Sequence, residues 1–161
     1  MSPKPALSDP LRRQRAFYSG KQKCHTLKSQ LVIDAQTQQV ICTFFGKGRR
    51  HDFKLFKASG IRFHPLTESL QDKGYQGLQK LHVHSRLPKK KPRGGHLTAQ
   101  DKAYNRQLAR ERVAIEHVNR RLKVFRILSG RYRNRRQRFG LRCNLIAALY
   151  NFEQAQAVTV S

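Results

Sequence analysis

Charge is the feature that most restricts how this chain can fold. It sets 34 Lys and Arg against nine Asp and Glu, a formal charge of +25 over 161 residues. Such a field repels itself and attracts polyanions. The natural partner is nucleic acid, held through phosphate contacts with release of counterions. On composition alone, a basic RNA-binding structural protein ranks first. The length suffices for one domain with a real core. Cys24, Cys42 and Cys143 are scattered, without C-x-x-C spacing. That argues against a disulfide framework or a zinc knuckle and fits a reducing cytosol. No apolar run approaches ~18 residues, so no membrane span is expected. The opening MSPKPALSDPLRR lacks the apolar segment of a signal peptide.

Along the chain, residues 1–16 read as an extended basic lead-in. HTLKSQLVIDA (25–35) alternates Leu27, Leu31 and Ile33 and reads as a strand. VICTFFG (40–46) is β-branched and aromatic and reads as a more buried strand. The polar QTQQ between them predicts an antiparallel hairpin. A short helix is expected after GKGRR, with Asp52 as its N-cap. ESLQDKGYQGLQK (68–80) reads as a short strand, a turn at Asp72-Lys73-Gly74 and a short helix. His82 and His84 are read as surface or phosphate-facing. LPKKKPRGGH (87–96) is a basic loop in which Lys89, Lys90, Lys91 and Arg93 form a flexible clamp. Thr98 with Asp101 resembles a capping box and opens a helix over about 99–123. Its apolar seam is Tyr104, Leu108, Ile115, Val118 and Leu122. A last helix over about 137–157 carries Phe139, Cys143, Ile146, Leu149 and Tyr150.

In RERVAIEHVNRRLK (110–123) an acid, Glu116, stands among cations. Arg112 and Arg120 lie four residues either side, so the plain reading is a helical ion pair of ~0.5 kcal/mol. Asp72 by itself is ordinary turn chemistry. The order of motifs changes the balance. Arg112-x3-Glu116-x6-Lys123 resembles the Tyr-x2-Arg-x3-Glu-x6-Lys signature of DDE-type insertion-sequence transposases, with Ala109 where the signature has Tyr. LQDKGYQGL (70–78) looks like the segment that holds the second catalytic Asp of that family. FYSGKQKCHTLKSQLVID (17–34) and GRRHDFKLF (48–56) are similar to two further blocks, and RLKVFRIL (121–128) continues the likeness. Four blocks in the family's order carry the resemblance from about residue 15 to 152.

The resemblance implies an α/β, RNase H-like mixed sheet with flanking helices over 17–152, followed by a tail at 153–161. It implies DNA transposition, with Mg2+ (or Mn2+) held by Asp72 and Glu116 as catalytic and metal-binding residues. Arg112, Arg120 and Lys123 would hold DNA phosphates. So would the Arg131, Arg133, Arg135, Arg136 and Arg138 run and Lys89, Lys90 and Lys91. The family's first Asp lies upstream of the Tyr-Ser-Gly block, where this chain offers only Asp9. The expectation is therefore a truncated or split form that lacks the first central strand and its Asp and is inactive alone. The implied partners are DNA (transposon ends and target) and either a second copy in a homodimer or an upstream transposase fragment, at the nucleoid of a bacterial cytoplasm. An inactive transposase-derived DNA-binding protein and an RNA-binding structural protein stand as alternatives.

Overall fold

A computed structural model describes residues 6–7, 17–20, 23–129, 131–132 and 138–159. In chain order its elements are β1 (Ala6–Leu7), β2 (Tyr18–Ser19), β3 (Cys24–His25), β4 (Leu27–Ile33), β5 (Val40–Lys47) and α1 (Asp52–Ser59). There follow β6 (Ser69–Leu70), β7 (Ser85–Arg86), α2 (Ala99–Glu111), α3 (Val113–Lys123), α4 (Arg126–Ser129), β8 (Arg131–Tyr132) and α5 (Phe139–Thr159). Short 3-10 turns occupy Lys73–Tyr75 and Leu78–Lys80. The chain is thus mixed α/β. Among the described residues the strands pair as two-stranded ladders: β1 with β8, β2 with β3, β4 with β5, and β6 with β7. Two compact units result, Met1–Arg50 with Ala114–Ser161 and His51–Val113.

In the first unit the expected hairpin forms. β4 and β5 run antiparallel from Leu27 opposite Lys47 to Ile33 opposite Val40, with an irregularity at Val32/Ile33. Asp34 closes the turn by accepting from the Gln36 and Thr37 N–H groups, both at 2.8 Å. These bonds hold its carboxyl below the usual carboxylate range. Leu27, Val40, Val118, Leu122, Leu128, Phe139, Cys143, Ile146, Ala147 and Tyr150 make the core. α5 is tied to β5 by Asn151, whose Oδ1 accepts from the Val40 N–H at 2.8 Å and whose Nδ2 donates to the Val40 carbonyl at 2.9 Å. Phe139 meets Phe45 edge to face at 5.4 Å. Burial pushes the Cys143 thiol up to about 12. Leu149, expected on the core side of this helix, is instead exposed together with Leu141, Leu145 and Phe152.

In the second unit Leu55, Phe56, Leu78, Leu87 and Leu108 are buried. Phe56 stacks on Phe63 at 5.7 Å and meets Tyr75 edge to face. β6 and β7 are parallel, with Ser69 opposite Ser85. His82 corrects its surface reading: it is buried, with Nε2 2.6 Å from the Thr67 carbonyl. His84 is exposed. The expected helix over 99–123 is two helices interrupted at Arg112. Thr98 caps α2 by accepting from the Asp101 N–H at 3.0 Å. No Pro or Gly marks the interruption. Arg112 has φ −81° and ψ −6°, close enough to helical values that the apolar spacing runs across it undisturbed.

Candidate active site

In a chain this basic, the acids show where anionic groups are needed. Asp34 closes its own turn. Glu68 and Glu111 both bind Arg86. Glu111 holds the guanidinium at two points, 2.7 and 2.9 Å, and Glu68 accepts from it at 2.8 Å. The guanidinium hydrogen bonds lower the Glu111 carboxyl and raise Arg86 in return. Asp101 lies in the first turn of α2, and Glu153 is exposed on α5. Asp9 is outside the described residues. Asp52, Asp72 and Glu116 remain.

Asp72 caps the 3-10 turn that follows β6. Its Oδ1 accepts from the Lys73 N–H at 2.7 Å, and its carbonyl accepts from the Tyr75 N–H at 3.0 Å. The same Oδ1 lies 3.5 Å from Arg112 Nη1. The carboxylate is 52% exposed, whereas the guanidinium is 16% exposed. An anion open to solvent is therefore backed by a half-buried cation. Arg112 stands at the helix interruption, so this pairing replaces the local one expected with Glu116.

Asp52, at the start of α1, lies against the same turn, a placement the sequence reading missed. His51, not Asp52, caps α1: its Nδ1 accepts from the Phe53 N–H at 3.4 Å. Both side chains can accept that bond, so sequence alone does not choose. Asp52 is the first helical residue, and its carboxylate lies against Gly74 where a Cβ would collide with it. Tyr75 sits by both acids. Burial first, then the negative charges of Asp52 and Asp72, raise its hydroxyl above the usual tyrosine value. The adjacent His51-Asp52 and the Asp72-x-Gly74 turn were the available signals.

Glu116 lies in the first turn of α3, exposed, with no side-chain hydrogen bond or ion pair among the described residues. It belongs to the first unit and Asp72 to the second. Arg120 is exposed and Lys123 half-buried on the same helix. Lys89, Lys90, Lys91 and Arg138 are exposed. The Arg131 backbone pairs in β8; Arg133, Arg135 and Arg136 lie outside the described residues. No group of three or more His, Cys, Asp or Glu placed to hold a metal occurs among the described residues. None of their helices is long and apolar enough to cross a membrane.

The chain as a whole has counterparts among known proteins. The model of the DDE superfamily endonucleases matches residues 5–151, and the chain belongs to that family. It is 57% identical over 146 residues to a probable transposase for insertion sequence element IS702 from Microchaete diplosiphon. The match covers 91% of this chain and 53% of that protein, so the chain spans about half the length of its relative. The chain is accordingly of the insertion-sequence transposase kind. No solved structure matches.

Proposed function

We propose that this chain carries part of the catalytic domain of a transposase that cleaves and joins DNA strands with the help of Mg2+ or Mn2+. The observation that carries the reading is the exposed Asp72 carboxylate held against Arg112, within a family of DDE endonucleases. Residues 17–152 are the catalytic portion, RNase H-like in topology, with 1–16 as lead-in and 153–161 as tail. Its place of action is the bacterial nucleoid.

Asp72 and Glu116 are the proposed metal ligands. Their oxygen donors are the kind that Mg2+ and Mn2+ take. When bound, such ions stabilise the attacking and leaving oxygens of an in-line phosphoryl displacement. Arg112 lies against the Asp72 carboxylate and helps to orient it. Arg120, Lys123, Lys89, Lys90, Lys91 and the 131–138 arginines bind DNA phosphates. Duplex DNA is preferred to RNA on this reading because the family acts on DNA strands.

Mn2+ binding by the purified chain, followed by calorimetry, tests the ligands. Asp72→Asn and Glu116→Gln should each weaken it by ~10-fold or more. Binding unchanged in both variants, or Mg2+-dependent nicking of DNA that survives Glu116→Gln, would overturn the assignment.

A further inference from the structure

The flank of α2 carries a row of cations that begins ahead of the transposase-like signature at 109–123 and that the signature does not assign. Lys102, Arg106 and Arg110 recur every four residues, and all three are exposed. At that spacing they stack along one side of the helix, ~6 Å apart along its axis. None has an ion pair among the described residues, and the acids of α2 do not neutralise them. Glu111 is engaged by Arg86, and Asp101 sits in the capped first turn, ~100° around the helix from Lys102. Like charges at this spacing destabilise the helix, an effect that a bound polyanion would reverse.

A second basic element adjoins the row. The loop that begins at Leu87 was expected to be a flexible clamp, but its start is pinned. Pro88 is buried, and its carbonyl accepts from Gln76 Nε2 at 3.0 Å. Asn105, on α2, brackets the Lys89 backbone: Oδ1 accepts from its N–H at 2.8 Å and Nδ2 donates to its carbonyl at 3.1 Å. The Lys89 ammonium lies 6.0 Å from the Tyr104 ring. Lys90, Lys91 and Arg93 follow immediately and are exposed. Asn105 lies ~60° around the helix from Lys102, ~100° from Arg106 and ~140° from Arg110, so the pinned loop adjoins the Lys102 end of the cation row.

We infer that Lys102, Arg106 and Arg110, with the 89–93 loop that Asn105 fixes beside them, form a duplex-DNA backbone contact surface. This rests on the transposase reading above. The surface holds cations and small residues (Ala99, Ala103, Ala109) and no exposed aromatic. An acidic protein partner would need an apolar or aromatic anchor. Single-stranded RNA would need a ring for its bases to stack on. Phosphates of a duplex need only cations in a row. The surface therefore reads position along DNA and no base sequence. Asn105 is a positioning residue: it touches no phosphate, and it orders the lysines before DNA arrives.

The test is binding of the full chain to mixed-sequence duplex DNA, by fluorescence anisotropy over a salt series. Lys102→Gln/Arg106→Gln/Arg110→Gln should lower the slope of log affinity against log salt by ~0.9 for each phosphate no longer neutralised. Asn105→Leu keeps every charge and the slope. It should weaken binding by ~3- to 10-fold because the loop must then be ordered on binding, and it should speed tryptic cleavage after Lys90 and Lys91. A triple variant that binds with unchanged affinity and slope overturns the surface alone. An Asn105→Leu chain equal to the parent in both readouts overturns the positioning role. Tighter binding to structured RNA at every salt overturns DNA as the partner. An unaltered chain that ignores duplex DNA at low salt overturns the transposase reading together with this surface.

Discussion

At the scale of single residues, the geometry of the acidic turn depends on a missing methyl group. Gly74 has no Cβ, and the space is taken by the Asp52 carboxylate. Gly74→Ala should therefore cost ~1–3 kcal/mol as overpacking. The cost should shrink when Asp52 is also cut to Ala, because the colliding group is then gone. Urea unfolding of the two single variants and the double variant gives the coupling; strictly additive losses would show that the two residues do not meet. Arg112 makes the same point in reverse. Spacing along a helix assigns it to Glu116, whereas in three dimensions it reaches Asp72. Asp72 and Glu116 could be picked out because acids are rare in this chain and stand in a recognisable motif. The nearness of Asp52 to the Asp72 turn could not be read in this way, because an Asp after His at a helix start reads as a cap.

At the scale of elements, apolar periodicity locates helices and leaves their breaks and second faces undetermined. The interruption at Arg112 leaves the apolar rhythm intact, so the sequence reads as one helix where two exist. α5 is apolar on two sides. The core side is Phe139, Cys143, Ile146, Ala147 and Tyr150, and the opposite side shows Leu141, Leu145, Leu149 and Phe152. Adjacent residues of this helix should thus respond in opposite ways. Leu145, 60% exposed, should accept Glu within ~0.5 kcal/mol. Ile146, 6% exposed, should lose ~2–5 kcal/mol on change to Ala. Denaturant midpoints decide; a large loss for Leu145→Glu would show that this face is covered in solution.

At the scale of the whole molecule, net charge sets the conditions under which the chain is stable. With +25 unbalanced, self-repulsion opposes the compact state. Raising NaCl from ~0.1 to ~1 M shortens the screening length from ~10 to ~3 Å. The thermal midpoint should rise over that range, and at the low-salt end it should also rise with bound duplex DNA. A midpoint that falls with salt would mean that attractive pairs, such as Arg86 with Glu68 and Glu111, outweigh the repulsion. The two compact units each keep their own buried residues: Leu108 of α2 in one, Val118 and Leu122 of α3 in the other.

What the sequence determined by itself follows from short-range rules. The hairpin, the Thr98 cap, the helical stretches, the strongly positive charge and the family motifs all depend on neighbours within a few positions or on total composition. The tertiary structure alone decided which partner each polar group takes. Arg112 on Asp72 and Arg86 on two glutamates are such choices. So are Asn105 on Lys89 and Asn151 on Val40, which join residues 16 and 111 positions apart. A hydrogen bond is satisfied by whatever acceptor the packed chain brings within ~3 Å, and no local pattern records that choice.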